Sequence, residues 1–251
     1  IIASKANLSF IWFIEHMAPV AFFTLFLMIP IWLFMFRKDL KNDLSAREAI
    51  LQLDAKARIT DKSLTKKSLI VLALVLLAFS FHTILHVEPA VVALFGAGVL
   101  VALSGLKPKD YVADIEWATL VFFVGLFIMV GALVNVGALG NFAKYLKELF
   151  GGNIPLAAMS ILGISAIVSG IVDNIPYVAS MTPVVGDLIA GTAERSQHAL
   201  WVALAFGADF GGNATIIGAS ANLVAIGLAK KNGIHISFWQ FAKYIVNIFS
   251  R

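Results

Sequence analysis

Two short polar stretches in an otherwise apolar chain carry residue types able to hold an ion or a small solute. The first is Asp173-Asn174-Ile175-Pro176, with Ser169 one helical turn before it. The second runs from Gly207 to Asn222 and gathers Asp209, Gly211, Gly212, Asn213, Thr215, Gly218, Ser220 and Asn222. A carboxylate inside a membrane is costly, and by default it marks a proton or cation position. Asn, Thr and Ser side chains, with glycine-exposed backbone between them, could complete a site for a solute. The candidate substrate- and ion-binding residues are therefore Ser169, Asp173, Asn174, Gly212, Asn213, Thr215, Gly218, Ser220 and Asn222. Asp173 and Asp209 are the candidate coupling carboxylates, and Asn174, Asn213 and Asn222 the candidate Na⁺ ligands. Plainer roles compete. Asp173 could cap a helix whose first turn holds Pro176. The glycines could simply bring helices together, although packing alone does not call for two asparagines. Asp209 could lie shallow, near the outer mouth.

The chain has 251 residues, 60% hydrophobic and 14% charged, where soluble domains carry about 25% charge. Long apolar runs make it an all-α polytopic membrane protein, and the alternation of a membrane β-barrel is absent. Without cysteine there is no disulfide framework, thiolate metal site or cysteine nucleophile. The net charge of +4 sits in loops and calls for no nucleic acid. No nucleophile elbow, phosphate loop or metalloprotease helix is present, so no enzyme and no cofactor are expected beyond a coupling ion, Na⁺ or H⁺. His82 and His86 share a helix face, with Glu88 as a third group, but read best as residues near the outer interface.

The elements that must position these residues follow from the apolar runs. Residues 10–36 form one crossing, with Pro19 and Pro30 inside. Residues 37–67 hold nine Lys or Arg against five Asp or Glu, which places this linker in the cytoplasm. Within it Ser45-Ala46-Arg47-Glu48 is a capping box that opens a surface helix through about residue 59. Crossings follow at 69–87, 90–106 and 117–139. Residues 141–150 set Lys144, Lys147 and Glu148 opposite Phe142, Tyr145, Leu146 and Leu149, the pattern of an interfacial helix. Residues 154–190 are two short apolar arms around the Asp173 tip, a re-entrant hairpin. Residues 198–229 span about 32 positions where one crossing needs about 20, a broken transmembrane helix. A last crossing starts within 236–251.

The segment Ala229-Lys230-Lys231-Asn232-Gly233-Ile234-His235-Ile236-Ser237-Phe238 resembles Ala3-Ser4-Lys5-Ala6-Asn7-Leu8-Ser9-Phe10, and the two copies enter crossings of opposite direction. That is the mark of an inverted repeat. Residues 1–36 are then the end of a first repeat and 68–251 most of a second. The chain is accordingly expected to be the C-terminal part of a longer protein, with the N-terminal repeat missing.

Ser169-Gly170-Ile171-Val172-Asp173-Asn174-Ile175-Pro176-Tyr177-Val178-Ala179, with Gly211-Gly212-Asn213-Ala214-Thr215-Ile216-Ile217-Gly218-Ala219-Ser220-Ala221-Asn222, resembles the second repeat of the arsenite permease and NhaD-type antiporter family. That family stands in the ion transporter superfamily beside the citrate and dicarboxylate–sodium carriers, and includes the melanosomal P protein. The resemblance implies an inverted-repeat secondary transporter fold with a re-entrant hairpin and a broken transmembrane helix in each repeat. It also implies a midplane site, a scaffold part, a moving part and a homodimer. Asp173-Asn174-Ile175 stands where dicarboxylate carriers have Ser-Asn-Thr, and Ala219-Ser220-Ala221-Asn222 where they have Thr-Pro-Pro-Asn. Only Asn174 and Asn222 match, which turns the expectation away from dicarboxylates. The expected function is transport of a small anion or oxyanion, of arsenite- or citrate-like class, coupled to Na⁺ or H⁺ by alternating access. Its partners would be the lipid bilayer and a small inorganic or organic ion, in a plasma membrane of prokaryotic type. A Na⁺/H⁺ antiporter is the alternative, and a partial membrane subunit that transports nothing alone is a further one.

Overall fold

The computed structural model describes residues 1–6, 8–37, 59, 61–81, 84, 87–113, 115, 117–231 and 233–249. The surface helix expected to open at Ser45, and the His82–His86 pair, lie outside the described residues. Every regular element among the described residues is an α-helix. In order they are α1 (Ile2–Ala6), α2 (Phe10–Met35), α3 (Lys62–Ser80), α4 (Pro89–Ser104), α5 (Pro108–Val112) and α6 (Trp117–Asn135). There follow α7 (Ala138–Phe150), α8 (Ile154–Ser169), α9 (Asn174–Ile189), α10 (Glu194–Gly212), α11 (Ser220–Lys231) and α12 (Phe238–Phe249). The chain divides into two compact units, residues 8–115 and residues 1–7 with 116–251.

In the first unit, Ser9 starts α2 by accepting a hydrogen bond on Oγ from Trp12 N at 3.0 Å. The helix runs 26 residues and buries none of its side chains. Its apolar surface has no aqueous rationale, and it is long enough to cross a bilayer. The helix α3 also meets that criterion. It begins at Lys62 rather than at the apolar run near Leu69, because Asp61 Oδ1 accepts from Leu64 N at 2.9 Å and caps a polar first turn. The helices α3 and α4 pack together. Gly96 admits the contact, since a Cβ there would overlap Val75. At the far end, Lys67 Nζ donates to Leu103 O at 2.8 Å, satisfying a carbonyl that the end of α4 leaves without a helical partner.

The second unit is built on α8 against α10. Its core is formed by Val184 and Val185 of α9 with Leu200, Leu204 and Ala208 of α10, all wholly inaccessible. Gly207 and Gly211, one turn apart, set the closeness of α8 and α10. A Cβ at Gly207 would sit 2.5 Å from Leu162 O, and one at Gly211 would overlap the Ala166 backbone. This is the small-residue packing of membrane helices. The helix α9 also packs on α6 and α7, and the short α1 lies against α9 and α10.

The 120–135 part of α6 and α7 meet at a bend of 65°. On α7 the buried side chains are Ala143, Leu146 and Phe150, while Phe142, Tyr145 and Leu149 stay exposed. The apolar face legible in the sequence is thus split, with Leu146 turned to the protein and the other three turned out. Small Ala143 belongs to the buried stripe of α7, which packs on α9. With 16 residues each, α8 and α9 reach about 24 Å, short of a hydrocarbon core of about 30 Å.

Replacing Gly211 by Ala should lower the thermal midpoint of the purified protein, by the equivalent of about 1–3 kcal/mol of overpacking. Gly98→Ala, at a helical position with open space around it, should leave the midpoint unchanged or raise it. Equal behaviour of the two variants would refute the packing role of Gly211.

Candidate ion and substrate site

Two interruptions meet in the second unit: the turn 170–173 between α8 and α9, and the break 213–219 between α10 and α11. Each has a local cause. Asp173 Oδ1 accepts from Ile175 N at 3.0 Å and starts α9, with Pro176 in the first turn, where its missing N–H costs nothing. At the other interruption Gly212 and Gly218 bring the chain back on itself. A Cβ on Gly218 would lie 2.8 Å from Gly212 O, and one on Gly212 would lie 3.0 Å from Gly218 O. Neither glycine has a positive φ. The requirement is room, not backbone freedom.

The two interruptions are tied to each other. Thr215 Oγ1 donates to Gly170 O at 2.6 Å and accepts from Gly218 N at 3.1 Å. Asn174 N donates to Gly218 O at 3.2 Å. Ser220 Oγ donates to Asp173 Oδ2 at 2.7 Å, so each oxygen of Asp173 has a partner. Two helices end here, α8 and α10, and two begin, α9 and α11. Helix starts carry partial positive charge and helix ends partial negative charge. The region therefore offers both an anion and a cation suitable backbone surroundings.

The remaining candidates separate into two groups. Asp173 and Asn174 are half-exposed, and Asp209, Asn213 and Ser220 are exposed. Asn174 Nδ2 reaches Asp209 Oδ1 at 3.4 Å, and Asn213 Nδ2 donates to Asp209 O at 3.0 Å. These side chains share an open polar face. Ser169 belongs elsewhere: it is fully buried and its Oγ donates to Ala208 O at 2.6 Å, a strut between α8 and α10. Asn222 Nδ2 donates to Gly212 O and Thr215 O, both at 2.9 Å, and so holds the carbonyls of the break. Gly212 and Gly218 are buried and act through shape. Sequence reasoning passed over Gly170, whose carbonyl receives Thr215. A Cβ there would stand 3.3 Å from Gly211 O, and the Ser169-Gly170 pair just before the tip was its only signal. It also passed over the buried contact of Ser165 Oγ with Tyr177 OH, 3.0 Å, which joins the hairpin arms.

The sequence pattern of the citrate transporter family (CitMHS) matches residues 1–207. The chain belongs to that family. An uncharacterized transporter of Mycobacterium bovis is 46% identical over 244 residues, covering 97% of this chain and 57% of the relative. The P protein of Sus scrofa is 37% identical over 216 residues, covering 82% of this chain and 25% of that protein. An uncharacterized transporter of Synechocystis is 31% identical over 196 residues, covering 70% of this chain and 44% of the relative. The chain thus spans 57% of the length of the mycobacterial relative. No solved structure matches it. Its long apolar helices and its family make this citrate transporter family member an integral membrane protein. The family pattern ends at residue 207, before the break, whereas the match to the mycobacterial transporter extends over nearly the whole chain.

The two roles open to Asn222 predict effects of opposite sign. Aspartate can only accept, so Asn222→Asp should set a carboxylate against two carbonyls and remove two hydrogen bonds, costing about 2 kcal/mol. The thermal midpoint of the purified protein should fall, and added Na⁺ should not restore it. A direct Na⁺ ligand would gain Na⁺-dependent stabilisation from the same change.

Proposed function

We propose that the whole protein carrying this chain is a secondary active transporter. It moves a small anion or oxyanion, of arsenite- or citrate-like class, coupled to Na⁺ or H⁺ by alternating access. Membership of a transporter family supports transport. The observation that carries the substrate reading is the junction of hairpin tip and helix break, closed by Ser220 Oγ on Asp173 Oδ2 at 2.7 Å. Two helices begin there, and their first-turn N–H groups suit a small anion. Beside them Asp173 takes the coupling cation or proton. Asn174, Asn213 and Ser220 line the solute, while Thr215 and Asn222 hold the backbone that frames it. The ends of α8 and α10, with Asn174 and Asn213, suit Na⁺.

The rest of the proposal follows from the same residues. Asp173 and Ile175 at the hairpin tip favour the arsenite permease and NhaD-type branch over the dicarboxylate carriers. A mirror-image first repeat would supply the facing hairpin and broken helix and complete the site. The linker 37–67 faces the cytoplasm, two such proteins pair as a homodimer, and the membrane is a plasma membrane of prokaryotic type.

A Na⁺/H⁺ antiporter is the second reading, and one contact favours it. The Asn174 amide reaches Asp209 Oδ1 at 3.4 Å and stands next to Asp173 in the chain, so two carboxylates flank one amide. Such a pair could hold a cation and a proton in alternation.

Reconstituted flux separates the readings. The complete protein in proteoliposomes should take up an arsenite- or citrate-class anion when a Na⁺ or pH gradient is applied. Asp173→Asn should abolish the dependence on the gradient while the protein stays folded. A Na⁺-driven pH change with no added anion would establish the antiporter and sink the anion reading. Coupling unchanged in Asp173→Asn would remove Asp173 from its role.

A further inference from the structure

A polar cavity lies at the junction of α11 and α12. It measures about 610 Å³ and is lined by Ile226, Lys230, His235, Ile236, Ser237 and Gln240. It shares no residue with the Asp173–Ser220 junction. Its polar inventory is one-sided. Ser237 N donates to Gln240 Oε1 at 2.8 Å, and Gln240 N donates to Ser237 Oγ at 3.2 Å. This reciprocal cap opens α12. It also engages the two side-chain oxygens as acceptors, leaving the Gln240 NH₂ and the Ser237 hydroxyl hydrogen as donors for an acceptor in the cavity. Lys230 adds an ammonium with three donors, and His235 adds at least one ring N–H. Among the described residues, no Asp or Glu lines the cavity.

We propose that this cavity binds a phosphate-bearing anion, namely the headgroup of an anionic phospholipid. The donor-rich set of described lining residues matches phosphate oxygens, which only accept. The Lys230 ammonium attracts an anion and offers no such attraction to a neutral or cationic ligand. The apolar part of the lining decides between a lipid and a free ion. Ile226 and Ile236 wall the cavity, and the adjacent Trp239 is 78% exposed, the placement of an indole at a membrane–water interface. A glycerophospholipid meets both halves at once, with its phosphate on Lys230 and His235 and its ester and acyl start against the isoleucines. Free phosphate would use only the first half.

The test uses the purified complete protein in detergent, titrated with phosphatidylglycerol, phosphatidylcholine or inorganic phosphate. Bound lipid is counted by native mass spectrometry. Phosphatidylglycerol should bind in preference to phosphatidylcholine. Lys230→Gln should weaken it about fivefold, the equivalent of about 1 kcal/mol for one basic residue near an anionic headgroup. His235→Gln, at a second exposed position, should weaken it in the same direction. Inorganic phosphate should compete only at concentrations far above those of the lipid. Competition by inorganic phosphate at concentrations equal to the lipid's would overturn the lipid and identify a free anion instead. Equal binding of the two lipids, or a phosphatidylglycerol preference unchanged in both variants, would overturn the site altogether. None of these outcomes depends on what the protein transports.

Discussion

Backbone that is not helical must still satisfy its N–H and C=O groups, and inside a bilayer there is no solvent to do it. The hairpin turn and the helix break leave such groups, and they satisfy them with each other. Thr215 of the break donates to Gly170 O of the hairpin turn at 2.6 Å. Asn174 N of the hairpin donates to Gly218 O of the break at 3.2 Å. Asn222 holds Gly212 O and Thr215 O from the first turn of α11. Each broken element is the other's hydrogen-bond partner, so neither interruption is stable in this form without the other.

That mutual dependence needs the two elements to approach closely and in register. Gly207 and Gly211 supply the approach, because side chains there would collide with Leu162 and Ala166 of α8. Ser169 supplies the register through its 2.6 Å bond to Ala208 O. The inaccessible side chains Val184, Val185, Leu200 and Leu204 then lock α9 against α10. Packing of small and apolar groups thus sets the geometry that the polar groups exploit. The candidate face is what remains after these internal bonds are made: Asp173 and Asn174, partly exposed, with Asp209, Asn213 and Ser220, exposed.

The chemistry proposed for that face has a physical basis in where helices start and stop. Two helix starts and two helix ends lie at one junction, so partial charges of both signs are available without a charged side chain for each. Asp173 and Asp209 add two carboxylates to these partial charges. The two oxygens of Asp173 bond Ile175 N and Ser220 Oγ, which ties this carboxylate directly to the contact between hairpin and broken helix. Cap and coupling group are therefore compatible roles for one carboxylate.

The amino-acid sequence by itself determined the solvent in which the chain folds and the places where helices must stop. At 60% hydrophobic and 14% charged, the chain belongs in a bilayer. There polar clusters such as 169–176 and 207–222 stand out because polar groups in hydrocarbon are costly. It also identified the set of polar residues around the interruptions. It did not assign their roles. Ser169, Thr215 and Asn222 have donors that serve equally well for a ligand or for a backbone carbonyl, and nothing in residue type distinguishes the two uses. Nor could periodicity decide which stripe of α7 meets α9, since Ala143 and Phe142 are neighbours and only the partner surface chooses between them. Only the tertiary structure decided these points, because a hydrogen bond or a packed face is a property of two elements and the sequence states each element alone.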